Sequence, residues 1–306
     1  MKIRFLENNE IDKAKWDKCI SSAFNGIIYA YSWYLDIVSP EWAALVAGDY
    51  ETVFPLPQAK KAGILYLRQP LITQQLGIFS QSGLNTAITN SFLEAIPKKF
   101  KLTDIHLNTF NRADHTAFQI KLKPTYQLDL ISPFSQISGG FHQNTVRNIK
   151  KAVKNNITTS RNLKPETLVR LFQANKGEEI KDSIRVDYLM ITHLLYQIIA
   201  KGHGKLWGAF TPENNLCAAA FFAEINKKAI YLLAATDAEA KKSGAMALLV
   251  NNYIQKNSER SLTLDFEGST NANVARFYAG FGATECKYPH IYQNRLPAII
   301  SWIKHR

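Results

Sequence analysis

The 306-residue chain is poor in several things, and each shortage excludes a class of protein. It has three cysteines, Cys19, Cys217 and Cys286, an odd number at wide spacing and with no CxxC pair, so neither a disulfide framework nor a zinc site is signalled. Three small buried thiols are the plainer reading. No stretch approaches 18 consecutive apolar residues, which excludes a membrane-spanning helix. The opening MKIRFLENNEIDKAKW lacks the apolar core of a signal peptide and reads as a strand followed by a helix. The seven histidines show no HExxH or paired spacing, so no metal is expected. There is also no GxSxG elbow and no P-loop. A cytoplasmic, soluble protein is the expectation.

What is present is apolar content and positive charge. Hydrophobic residues make up 46% of the chain, enough for two cores at this length. The net charge is +12, and it is uneven: residues 1–130 hold 14 basic and 12 acidic side chains, residues 131–306 hold 23 and 13. The second half therefore suits an anionic partner, either phosphate-bearing or tRNA-linked, unless the charge serves only solubility. The segment ISPFSQISGG, residues 131–140, reads as the join, giving domains 1–130 and 131–306.

The first half alternates strands and helices, with a strand expected at Gln74–Phe79. In the second half, helices are expected at Thr145–Asn156, Pro165–Lys176 and Val186–Lys201. A three-strand meander over 205–235 follows, then a helix over 242–257, a strand at Ser261–Phe266, a helix at Ala272–Ala279 and a last strand around Tyr288–Gln293.

Three segments carry chemistry. Alternation along SLTLDFEG puts Asp265 and Glu267 on one face at the strand's C-terminal end, before Gly268-Ser269-Thr270-Asn271 and a helix with Arg276 and Tyr278. A strand end leading into a helix start is a common site geometry in open sheets. The carboxylates suit either general-base chemistry or helix capping and pairing with Arg276. The stretch from Ala235 and Thr236 through Lys241, Lys242, Gly244 and Ala245 is a small-residue loop before a helix, an arrangement able to cradle an anion. Arg147, Lys150, Lys151 and Lys154 form one helical stripe, opposite Val146, Ile149 and Val153. No carboxylate occurs between Ile131 and Pro165. The stripe is either a solvated face or a phosphate-binding one.

In this order LDFEGSTNANVARFYAGFGA (264–283), AATDAEAKKSGAMALL (234–249) and TVRNIKKAVKNN (145–156) resemble the GNAT superfamily, and within it the tandem-GNAT, FemAB-related Fem-like group. The resemblance covers 126–293 well; before that it rests on element order and on YLRQPLITQQLGIFS (66–80). It implies an α/β (α+β) fold of two tandem GNAT-like lobes, each a mixed, largely antiparallel sheet flanked by helices. It implies transfer of an acyl or aminoacyl group to an amine, with acyl-CoA or aminoacyl-tRNA as donor. Asn273 falls where GNAT enzymes contact the cofactor and Tyr278 where they place an acid, while Arg147 and Lys151 would hold a phosphate of the acceptor. The family's Q/R-x-x-G-x-G/A loop is matched only by Lys241-x-x-Gly244-x-Met246, a departure that counts against acetyl-CoA. The competing function is a non-catalytic binding protein on the same scaffold, taking a nucleotide-linked precursor or RNA. The sequence assigns no oligomeric state.

Overall fold

The computed structural model describes residues 2–176, 186–268 and 271–296. They form two compact units: the chain up to Pro124 with the returning segment from Lys287, and Thr125–Cys286. The division thus lies a few residues before the Ser/Gly/Pro-rich join, because Phe134–Gly139 within that join folds as a helix of the second unit.

The first unit contains β1 (Ile3–Leu6), α1 (Lys13–Ser22), α2 (Ser32–Val38), β2 (Ala43–Ala47), β3 (Thr52–Leu56), β4 (Gln58–Lys61), β5 (Ile64–Arg68), β6 (Phe79–Ser80), α3 (Thr86–Glu94), β7 (Leu102–His106) and the first part of β8 (Gln119–Asp129). Asp12 starts α1 by accepting hydrogen bonds from the Ala14 and Lys15 N–H groups. Strands β1, β2, β3 and β6 form an antiparallel sheet in that order. Strand β5 pairs antiparallel with β4 and parallel with β7. The core collects Phe54, Phe92, Phe100 and Ile105, all fully buried. The expected strand Gln74–Phe79 is a correction: only Phe79–Ser80 is extended and paired, since the preceding segment turns its polar groups to other partners, as described below.

The second unit holds the rest of β8, α4 (Phe134–Gly139), α5 (Gln143–Lys154), β9 (Thr158–Ser160), α6 (Pro165–Lys176), α7 (Tyr188–Ala200), β10 (Gly204–Phe210), β11 (Leu216–Ile225), β12 (Lys228–Thr236), α8 (Ala238–Ser243), α9 (Ala245–Asn257), β13 (Thr263–Asp265), α10 (Ala272–Ala279) and the start of β14 (Thr284–Asn294), whose residues from Lys287 lie in the first unit. Its sheet order is β8, β13, β12, β11, β10, β9. The β10–β11–β12 meander is antiparallel, whereas β12 and β13 run parallel. Helix α9 opens with the apolar run Ala245–Val250, all buried, and packs on the sheet, where Tyr253 stacks on Phe222 with ring centroids 3.6 Å apart. Burial of each such side chain contributes roughly 1.5–3 kcal/mol.

The helix expected over 242–257 is two helices. Gly244, at φ +81°, ends α8 and opens α9. A Cβ there would lie 2.4 Å from the Asn148 carbonyl oxygen of α5, so the break and the close approach of two helix backbones both depend on glycine. The strand expected at Ser261–Phe266 is only Thr263–Asp265, because Glu267 adopts φ +62° and the chain turns away.

Candidate functional site

The parallel pair β12–β13 makes three Cα pairings, Lys228 with Thr263, Ala229 with Leu264 and Ile230 with Asp265. There β13 ends. Strand β12 continues to Thr236 with β11 as its partner. A bulge marks the parting: Phe221 faces Leu233 but Phe222 faces Tyr231, so Leu232 is the extra residue. A cavity of about 690 Å³ opens beside the freed strand edge, walled by β12, α10 and the starts of α8 and α9.

Of the residues predicted for the site, the structure brings Ala235, Thr236, Lys241, Gly244, Asn273 and Tyr278 together on the cavity wall. Tyr278 packs its ring on Phe266 (5.2 Å, stacked) and edge-on to Tyr231. No described residue hydrogen-bonds its hydroxyl. Burial, helped by the charge of Glu267, raises its pKa well above the ordinary phenol value, so it carries its proton at neutral pH. Tyr231 at the cavity floor donates to Met246 Sδ at 3.1 Å.

The other predicted residues lie elsewhere. Asp265 is 1% exposed and its carboxylate is taken up by three donors: Thr125 Oγ1 at 2.6 Å, Gln127 Nε2 at 2.8 Å and the Glu267 N–H at 2.9 Å. It is a brace between strands and for the turn after β13 rather than a cavity residue. Glu267 does not share the face of Asp265, since strand alternation stops at its positive φ; its charge still reaches Tyr278. Ala245, the first residue of α9, is fully buried, and Lys242 is exposed. Ser269 and Thr270 lie outside the described residues; Asn271 caps α10 by accepting from the Asn273 N–H at 2.9 Å.

Arg147, Lys150, Lys151 and Lys154 are all exposed on α5, and none forms an ion pair among the described residues. Val153 is exposed rather than opposite them; the buried line of α5 is Thr145 and Ala152, with Asn148 between. Asn148 lines the cavity, as do Asn175, Met246 and Asn271. A helical-wheel reading of α5 would have found Asn148, a polar residue on the buried line. Nothing local marks Asn175.

A CoA diphosphate does not fit the loop that GNAT resemblance assigns to it. At the start of α8 Asp237 already accepts from the Ala240 N–H at 2.7 Å, and Glu239 adds a second negative charge in the same turn. At the start of α9 the Asn148 carbonyl, itself an acceptor, lies close beside Gly244. Lys241 is the one cation on the described wall. No group of three or more potential metal ligands occurs among the described residues, and no described helix is long and apolar enough to cross a membrane.

No protein-family model and no curated protein matches the chain. Solved structures do. FemX superposes with a TM-score of 0.70 at 12% identity, over 99% of this chain and 100% of that one. A tandem GNAT protein from the clavulanic acid biosynthesis pathway gives 0.52 at 12% identity, over 97% and 100%. The C-terminal domain of a putative lysylphosphatidylglycerol synthetase from Agrobacterium fabrum gives 0.53 at 9%, over 95% and 93%. At these identities the likeness speaks for architecture, which agrees with the mixed sheets, the parallel pair and the order of elements: the chain has the tandem-GNAT fold of the Fem-like kind.

Proposed function

We propose that the protein transfers an acyl or aminoacyl group to an amine in the cavity of the second unit. The observation that carries this reading is the protonated, unengaged hydroxyl of Tyr278 on the wall of a cavity opened by the parting of β12 and β13. An acyl group leaving its carrier needs a proton on the departing oxygen or sulfur, and the Tyr278 hydroxyl is the proton donor on the cavity wall, its acidity to be restored by the charge and water that a bound substrate brings against the burial that lowers it. The unpaired edge of β12 offers backbone N–H and C=O groups to an extended, amide-bearing substrate. Asn148, Asn271 and Asn273 add neutral polar groups, which favours a substrate that is polar but little charged at the reacting end.

The carrier on this reading is not CoA, since the diphosphate has no cradle. A tRNA end fits better: its phosphates would meet the exposed stripe Arg147, Lys150, Lys151 and Lys154 on α5, while Asn148 of the same helix lines the cavity. FemX and the lysylphosphatidylglycerol synthetase domain share this architecture.

The test is thermal shift with two probes, an aminoacyl-adenosine amide and acetyl-CoA. The amide is expected to stabilise the protein, by about 2.7 kcal/mol at 100 times its Kd, and acetyl-CoA to leave it unchanged. The reverse result would overturn the assignment of carrier. Turnover with a charged tRNA and an amine acceptor is expected to fall about 10²–10⁴-fold in Tyr278→Phe; an unchanged rate removes Tyr278 from the chemistry.

A second reading, a non-catalytic protein that binds polyanions, is favoured by the four exposed cations of α5, which form no ion pair among the described residues. It predicts salt-dependent RNA binding that Lys150→Glu with Lys154→Glu abolishes, and no turnover under any condition.

A further inference from the structure

A cluster of titratable side chains occupies the first unit. His106 sits on β7 with Nδ1 2.8 Å from the Gln74 carbonyl oxygen. A carbonyl can only accept, so Nδ1 carries the ring proton and Nε2 presents a lone pair. Lys123 Nζ lies 2.9 Å from that Nε2 and donates to it. Asp104, two residues earlier on the same face of β7, is 2.6 Å from His290 Nε2, and the rings of His290 and His106 meet edge to face at 5.1 Å. Asp104 is thereby engaged by His290, and Lys123 forms no ion pair among the described residues. The amine is half-buried with a neutral imidazole as its hydrogen-bond partner.

The surroundings fix this arrangement. The His106 N–H donates to Gln69 Oε1 at 2.9 Å, and the Gln69 side-chain amide donates to the Thr73 carbonyl at 2.8 Å. Between them Ile72 holds φ +54°, a costly state for a β-branched residue, with its carbonyl bound by the Tyr34 hydroxyl. Such strain persists where surrounding structure over-determines it. The charges facing Lys123 are Asp104 from β7, which favours the ammonium, and Lys121 from its own strand, which opposes it. Desolvation outweighs both, and the pKa of Lys123 lies below the ordinary lysine value. His106, pushed to about 4 mainly by burial, remains neutral at pH 7.

We propose that Lys123 is a reactive amine, a site of covalent acylation by thioesters that is separate from the cavity of the second unit. The neutral Nζ adds to the thioester carbonyl carbon; a C–N bond forms, the C–S bond breaks, and the proton shed by nitrogen ends on the departing thiolate. The products are an Nε-acyl-lysine and a free thiol, with no oxidant or reductant consumed. Only the unprotonated amine carries the lone pair for this step, and the lowered pKa of Lys123 populates that form more than in an exposed lysine.

The experiment treats the full chain with S-acetyl-N-acetylcysteamine at pH 7 to 10 and maps acetylation by peptide mass spectrometry. At pH 7.5 Lys123 is expected to be labelled several-fold faster than the exposed lysines Lys150 and Lys154, with its rate levelling off at lower pH than theirs. The excess is expected to vanish in urea. In His106→Asp, a carboxylate beside Nζ restores the ammonium, and labelling is expected to fall to the rate of Lys150. Labelling of Lys123 no faster than Lys150 in the native protein overturns the proposal, as does an excess that survives urea. The wild-type pH profile decides the matter even if His106→Asp fails to fold.

Discussion

The two units contain the same device put to different ends. In each, a pair of parallel strands makes three pairings and then parts: Tyr66, Leu67 and Arg68 with Leu102, Thr103 and Asp104 in the first unit, and Lys228, Ala229 and Ile230 with Thr263, Leu264 and Asp265 in the second. In the first unit the chain itself fills the gap. After Arg68 the Gln69 N–H bonds the Asp104 carbonyl, the His106 N–H bonds the Gln69 side chain, and the Leu76 N–H bonds the His106 carbonyl. In the second unit the corresponding space is a cavity. A backbone group exposed by a parting of strands must find a partner. One unit supplies it from glutamines, and the other leaves the edge available to a ligand.

The largest expected effect that tests this contrast is Phe266→Ala. Phe266 is fully buried and stacks on both Tyr278 and Phe281, so its loss is expected to cost about 3–5 kcal/mol in urea unfolding and to abolish ligand stabilisation of the second unit.

Acid comes next and strikes the filled unit. The pKa of His106 is about 4 in the folded state against an ordinary 6.5, so the unfolded chain binds the proton more tightly. Its contribution is fully present above pH 6.5 and is lost as pH falls through 4, on the order of 3 kcal/mol in all. Asp104, whose pKa is lowered chiefly by its bond to His290, adds stability that is lost only at lower pH still, below the ordinary carboxylate value. His106→Gln is expected to flatten the stability profile between pH 6.5 and 4; an unchanged slope would show that His106 is not the group responsible.

Smaller again is Gln69→Ala. It leaves the His106 N–H without its acceptor and is expected to cost about 1–2 kcal/mol without altering ligand binding in the cavity. If it weakens binding there, the two partings are not independent. The smallest change in stability is expected for Lys150→Glu, within about 0.5 kcal/mol because the side chain is exposed, while affinity for a tRNA falls and its salt dependence weakens.

The contrast explains how much was legible in the sequence. The meander 205–235, the helix 272–279 and the helix after Thr145 follow from local periodicity and turn residues, and the structure repeats them within a few residues. Thr236, Asn273 and Tyr278, singled out from the sequence, lie on or beside such elements and line the cavity. The bracing role of Asp265 is not legible in the sequence because its partners, Thr125 and Gln127, stand some 140 residues earlier in the chain. The run at Gln74–Phe79 looked like a strand because its glutamines gave no hint that they bond sideways to β7 and to one another. The break at Gly244 is a packing event between α5 and α9, invisible in either segment alone.

The bulge at Leu232 acts on β12 as a frameshift acts on a message. A regular strand would present residues two apart to the cavity, and after Tyr231 the next would be the bulky Leu233. The extra residue moves the frame by one, so Ala234 and Thr236 take the face of Tyr231, and with Ala235 between them they give the wall small side chains. Straightening the bulge with every residue kept would put Leu233 where Ala234 now stands and fill the cavity, whereas deleting Leu232 would leave Ala234 and Thr236 on the face of Tyr231. The room for a substrate is thus a matter of phase as much as of side-chain size.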